Sequence, residues 1–180
     1  MSLFAAFLRG MNVGGHRLTN AELQSHFTAM GFDDVATFRA SGNVVFASGS
    51  RSPEAIRRRI EDGLQAALGY AVPAFIRTGG ELRAIAARQP FDAALVAASA
   101  GKLQVVLLSG SPAPKARSAA LALASDSDRL DFGARELFWL PSGGLLESPL
   151  ALGTIEDLLG PMTIRTKGTI EQIAARHLTP

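Results

Sequence analysis

The sequence predicts an α+β protein made of two duplicated ferredoxin-like halves (βαββαβ-α) packed together. Three observations carry that expectation. The first ninety residues alternate apolar strand patterns and amphipathic helix patterns in the order β-α-β-β-α-β-α, whose first six elements form the split β-α-β unit. The same order starts again at Leu103. A gapless match links the two passages. Phe75 to Arg88 and Thr163 to Arg176 are identical at eight of 14 positions. Those are Ile76, Arg77, Thr78, Gly80, Ile85, Ala86, Ala87 and Arg88 against Ile164, Arg165, Thr166, Gly168, Ile173, Ala174, Ala175 and Arg176. The halves are read as residues 1–90 and 103–180, with 91–102 as an Ala-rich connector.

Each element has a local reason. Leu3 to Leu8 is apolar on both faces, as a central strand covered on both sides must be. Halves that cover each other's open sheet faces would account for that. Thr19 and Glu22 form a T-x-x-E capping box, and Leu23, Phe27 and Met30 then recur at helical spacing up to Gly31. Val35 to Arg39 and Val44 to Ala47 read as strands of a hairpin, with Ser41-Gly42-Asn43 as the turn. Ser52-Pro53 starts a second helix that turns Ile56, Ile60, Leu64 and Leu68 inward. Pro73 puts the strand Val72 to Arg77 at a sheet edge. A second T-x-x-E box, Thr78 to Glu81, opens a helix that ends before Pro90. In the second half, Leu103 to Leu108 is a strand. Ser111-Pro112 opens a helix running to about Leu123, and Arg129 to Phe132 pairs with Glu136 to Leu140. Thr154 begins a short helix, Met162 to Arg165 is the last strand, and Thr169 begins the last helix.

Composition removes several function classes. Of 180 residues, 47% are hydrophobic and 19% charged, which excludes a disordered chain. There is no Cys, hence no disulfide framework, thiolate zinc site or cysteine nucleophile. The 18 basic and 16 acidic side chains leave a net charge of +2, too little to imply nucleic acid alone. No apolar run reaches the roughly 18 residues needed to cross a bilayer. A soluble cytoplasmic protein with no membrane partner is expected. His16, His26 and His177 lack metal-ligand spacing. Asp126, Asp128 and Asp131 fail as a calcium loop, because Leu130 and Asp131 fall where a ligand and a glycine belong. Asp131-Phe132-Gly133 stands without any other kinase element. No metal and no cofactor are expected.

The candidate site is the loop after the first strand. Gly10, Asn12, Gly14 and Gly15 permit left-handed backbone and close approach, Arg9 and Arg17 flank them, and a helix start follows. That combination suits a phosphate or carboxylate, although the spacing matches neither dinucleotide nor P-loop fingerprints. Gly and Asn are also the commonest turn residues, so residue type alone leaves a purely structural loop open. The sheet order adds weight. In a 4-1-3-2 sheet the end of the first strand meets the start of the third, bringing Arg9 and Asn12 beside Ser41, Gly42 and Asn43, with Arg39 close by. Arg77 then lies at the opposite rim, and Arg165 would reach the loop only through packing between the halves. His16 is the one histidine placed to act as an acid or base. The rival reading is a nucleic-acid-binding protein that adds Arg57-Arg58-Arg59 to this rim. The first ninety residues carry 10 basic and 7 acidic side chains, the remainder 8 and 9. In that reading Phe46 is the candidate for base stacking, against a simple place in the core. A third reading is a protein-interaction module.

Leu8-Arg9-Gly10-Met11-Asn12-Val13-Gly14-Gly15 and Ser41-Gly42-Asn43-Val44-Val45-Phe46 closely resemble the domain-of-unknown-function 1697 family, which carries LRGINVGG and SGNVVF at these places. The resemblance runs along nearly the whole chain. Gln89-Pro90-Phe91 is similar to the family's N-P-F, and Ser148 and Leu150 to its S-K-L. Thr163 to Thr169 is similar to T-T-R-N-W-N-T, departing at Thr166, Lys167 and Gly168 and retaining Thr163, Arg165 and Thr169. The resemblance implies a duplicated α+β protein of bacterial type and no particular activity. It supports a site at the first loop and hairpin and adds Thr163 and Arg165 to the candidates.

Overall fold

In the computed structural model, residues 1–12, 14–39 and 42–178 are described. The chain runs through β1 (Ser2–Leu8), α1 (Asn20–Ala29), β2 (Asp33–Thr37), β3 (Asn43–Ser48), α2 (Pro53–Leu68), β4 (Ala74–Thr78) and α3 (Gly79–Ala87). It continues through α4 (Ala93–Ala98), β5 (Gln104–Leu108), α5 (Pro114–Leu121), β6 (Asp128–Phe132) and β7 (Glu136–Pro141). A 3₁₀ turn (Leu145–Glu147), α6 (Leu152–Leu159), β8 (Met162–Thr166) and α7 (Lys167–His177) complete it. Two antiparallel four-stranded sheets result, ordered β2-β3-β1-β4 and β6-β7-β5-β8. Each is the 4-1-3-2 order of a ferredoxin-like half, so the expected α+β fold with two similar halves is observed. The chain divides into two compact units, one of Met1–Arg83 with Ile173–Pro180 and another of Ala84–Gln172. The division between these units falls inside α3, and the end of α7 groups with the first unit.

In the first unit, sequence signals become hydrogen bonds. Thr19 Oγ1 accepts the Glu22 N–H at 3.2 Å and Glu22 Oε2 accepts the Thr19 N–H at 2.8 Å, the reciprocal box that starts α1. Ser52 Oγ accepts the Ala55 N–H at 3.2 Å, and Pro53 begins α2. One sheet face sets Phe4, Ala6, Leu8, Val44, Phe46 and Ile76 against Leu23 and Phe27 of α1 and Ile56, Ile60 and Leu64 of α2. Phe46 is fully buried, its ring centroid 4.5 Å from that of Phe32 and 5.5 Å from that of Phe27. It is a core residue, not a stacking platform. The other face of β1 is buried as well, through Ala5 and Phe7. Pro73 sits just ahead of the edge strand β4, where a missing N–H breaks no ladder.

The second unit repeats the first down to single bonds. Leu8 N–H donates to Gly42 O at 2.8 Å, and Leu108 N–H to Arg135 O at 3.0 Å. Arg9 N–H donates to Pro73 O at 3.0 Å, and Ser109 N–H to Pro161 O at 3.3 Å. Arg77 lies opposite Ala5 and Arg165 opposite Val105. Each donates from Nη1 to the carbonyl just before it, Ile76 at 3.0 Å and Ile164 at 2.8 Å.

Some boundaries differ from expectation. The 91–102 connector contains α4, capped by Asp92 Oδ1 accepting the Ala94 N–H at 2.8 Å. Helix α5 starts at Pro114, not at Ser111-Pro112. Ala113 precedes a proline and is therefore pushed to extended backbone, with φ −61° and ψ 151°. Helix α6 begins at Leu152, ahead of Thr154, with no side-chain cap. Helix α7 begins at Lys167, because Thr166 Oγ1 takes the Thr169 N–H at 3.2 Å and so caps it from two residues earlier than expected. Strand β2 starts at Asp33, and its register against β3 shifts between Asp33 and Ala36.

Candidate functional site

The loop between β1 and α1 is held at several points. Met11 is buried in the core of the first unit, and its carbonyl accepts the Tyr70 O–H at 2.6 Å. Asn12 Oδ1 accepts the Leu18 N–H at 2.8 Å and so closes the loop on itself. The His16 ring lies 4.8 Å from that of Tyr70 with 31° between their planes. Gly14 and Gly15 have φ of +64° and +84°, where a side chain would strain the backbone. Val13 lies outside the described residues. Beside this loop opens a pocket of about 730 Å³, lined by Asn12, Gly15, His16, Arg17, Leu18, Thr19 and Asn20. That volume falls within the usual range for small-molecule sites, roughly 300–1,000 Å³. Arg17 is exposed in its wall, and no ion pair among the described residues engages it.

The sheet order brings the hairpin to the same rim. Phe7 pairs with Asn43, so the exit of β1 meets the entry of β3. Arg9, Gly10 and Arg39 are exposed there. Arg39 has φ +57°, and its guanidinium lies 5.6 Å from the Phe38 ring centroid. Gly42 and Asn43 build the turn from inside. Gly42 has φ +69°, and a Cβ on it would lie 3.1 Å from Leu8 Cβ and 3.3 Å from Met11 Sδ. Asn43 is buried, and its Nδ2 donates to Phe38 O at 2.9 Å. The amide that sequence offered to a ligand is therefore engaged with the hairpin. Ser41 lies outside the described residues. The helix start also differs from a bare anion cradle, because the Glu22 carboxylate already sits on the Thr19 N–H and hydroxyl. Those bonds hold the Glu22 carboxyl below its ordinary pKa.

Thr163 and Arg165 lie in the second unit, on β8. Arg165 Nη1 donates to Thr163 Oγ1 and to Ile164 O, both at 2.8 Å. Burial lowers its pKa to about 10, which leaves it cationic at neutral pH. Lys167, one of the departures from the family pattern, is buried and donates from Nζ to Ala86 O at 2.9 Å and to Glu171.

Two arrangements escape a reading of the sequence alone. Tyr70, the only tyrosine in the chain, is the anchor of the first loop from 59 residues away. Asp128 is buried, and its Oδ1 accepts Trp139 Nε1–H at 2.7 Å and Ser148 Oγ–H at 2.6 Å. It ties β6 to β7 and to the segment before α6, and no acidic or histidine cluster able to hold a metal occurs among the described residues. The basic run on α2 is engaged internally. Arg57 pairs with Glu54 at 2.7 Å and with Glu61, Arg58 pairs with Glu54 at 2.9 Å, and Arg59 lies over the Phe32 ring at 5.1 Å.

Comparison with known proteins bears on the whole chain. The family model for a protein of unknown function, DUF1697, matches residues 1–138. No curated protein matches the chain. Among solved structures, the conserved bacterial protein SP0830 from Streptococcus pneumoniae aligns with a TM-score of 0.75 at 20% identity, over 99% of both chains. At that identity the likeness shows the fold. No helix among the described residues is long and apolar enough to cross a membrane.

Proposed function

The chain belongs to the DUF1697 family, and from that premise we propose that its first unit binds a small phosphate-bearing anion beside the loop after β1. The observation that carries this reading is the exposed Arg17 guanidinium in the wall of a pocket whose loop is already fastened. A planar guanidinium offers two parallel N–H donors to phosphate oxygens. A loop fixed through Asn12 and Tyr70 loses little further freedom when a ligand arrives, and that favours binding. The reading is of binding and assigns no reaction. The competing nucleic-acid reading would draw on Arg57 and Arg58, which share their helix with the glutamates they pair with.

The test is calorimetric titration of the protein with pyrophosphate, beside its Arg17→Ala and Arg9→Ala variants. A hydrogen bond to a charged group contributes about 1.5–3 kcal/mol, so Arg17→Ala is expected to weaken binding roughly tenfold or more. An Arg17→Ala variant that binds pyrophosphate as the unaltered protein does would overturn the assignment.

A further inference from the structure

We infer that the ligand of this pocket carries a planar aromatic ring next to its phosphate, as a nucleoside monophosphate does, and that His16 is the surface on which the ring stacks. The inference rests on the reading of the site given above and adds the chemical class of the ligand. His16 and Arg17 are consecutive residues that line one pocket, so a ring-binding group and a phosphate-binding group stand side by side. The imidazole is exposed and in contact with a second ring. Tyr70 backs it at 4.8 Å, and Tyr70 is itself half-buried and held by its bond to Met11 O at 2.6 Å. An exposed aromatic side chain already in contact with a neighbouring ring can take up a flat ligand at small entropic cost, and stacking accepts any flat heterocycle. Gly15, which lines the pocket, carries no side chain to crowd it. A Cβ on Gly15 would meet nothing within 4 Å, and one on Gly14 would meet only His16 Cδ2 at 3.9 Å. The pocket, at about 730 Å³, is also far larger than an inorganic anion requires.

The experiment titrates the full chain with the four ribonucleoside 5′-monophosphates and with ribose 5-phosphate, which keeps the phosphate and lacks the base. The best monophosphate is expected to bind roughly tenfold tighter than ribose 5-phosphate, the gain that one base–aromatic stack supplies. His16→Ala should abolish that advantage, bringing the best monophosphate down to the affinity the same variant shows for ribose 5-phosphate. His16→Phe should retain it, since a phenyl ring stacks without a titrating nitrogen. Equal affinities for base-bearing and base-free ligands in the unaltered protein would overturn the inference. So would an advantage that survives His16→Ala, or a His16→Phe variant that behaves like His16→Ala. An octanucleotide that binds far tighter than any monophosphate would also overturn it, because the ring would then be one stop on a nucleic-acid track. Failure of the underlying anion reading is a separate result, in which neither ligand class binds or Arg17→Ala leaves ribose 5-phosphate affinity unchanged.

Discussion

Asn43 and Glu136 stand at equivalent places in the two units and close the same turn by different chemistry. Asn43 opens β3 and donates from its amide to Phe38 O at 2.9 Å. Glu136 opens β7 and accepts the backbone N–H groups of Ala134 and Arg135, each at 3.1 Å. The Glu136 side chain folds back over Gly133, where an added Cβ would fall 1.8 Å from Glu136 Oε1. Gly133→Ala must therefore displace the carboxylate from its two donors. The expected cost is about 1–3 kcal/mol, read from denaturant midpoints, and it should shrink when Glu136→Ala is already present. Glu54 makes a pH prediction. Hydrogen bonds from Arg57 and then Arg58 lower its carboxyl from 4.5 to about 2. A carboxyl whose folded pKa is depressed binds fewer protons folded than unfolded. Its contribution is therefore complete above about pH 4.5 and is lost as the pH falls toward 2. Glu54→Gln should flatten the fall in stability across that interval, measured by denaturation at stepwise pH. Glu54 is exposed, so the effect is small at physiological salt.

At the scale of elements, the starts of α1, α2 and α3 are the most legible features of this chain. The boxes at Thr19 and Thr78 form as their spacing requires, with Thr78 Oγ1 accepting the Glu81 N–H at 3.2 Å and Glu81 Oε2 the Thr78 N–H at 2.8 Å. Both bonds span three residues, so no distant partner can veto them. Thr19→Ala should lower the stability of the protein by about 1 kcal/mol, with an unchanged m-value in urea denaturation. At α5 a competing local rule overrides the expected start. Ala113 could not be helical before Pro114. Helix α4 was missed because its six residues, AALVAA, show no polar face, and none of them is buried. Periodicity registers burial on one side, and this helix has no buried side to register.

For the whole molecule, the net charge of +2 gives no strong field, and the location of unneutralised arginine matters more than its number. Arg57 and Arg58 answer to Glu54 and Glu61, whereas Arg17 stands exposed over a pocket. The double change Arg57→Glu, Arg58→Glu should thus leave nucleotide affinity unaltered in the same calorimetric titration. Loss of binding in that variant would return weight to the nucleic-acid reading. Duplication was legible at this scale from 14 aligned positions, and the paired arginines and prolines confirm it bond by bond.

Sequence by itself determined the order of elements, the capped helix starts, the edge position of the Pro73 strand and the repeat of one half in the other. These depend on residues a few positions apart or on an apolar period, and both are written along the chain. Tertiary structure alone decided which polar groups are engaged inside the fold and which remain at the pocket. Asn43 and Gly42 turned inward, Tyr70 came across to hold Met11 and brace His16, and Arg17 stayed exposed. Those outcomes follow from strand pairing, which brings residues distant in sequence within hydrogen-bonding reach, and no local spacing encodes which of them will meet.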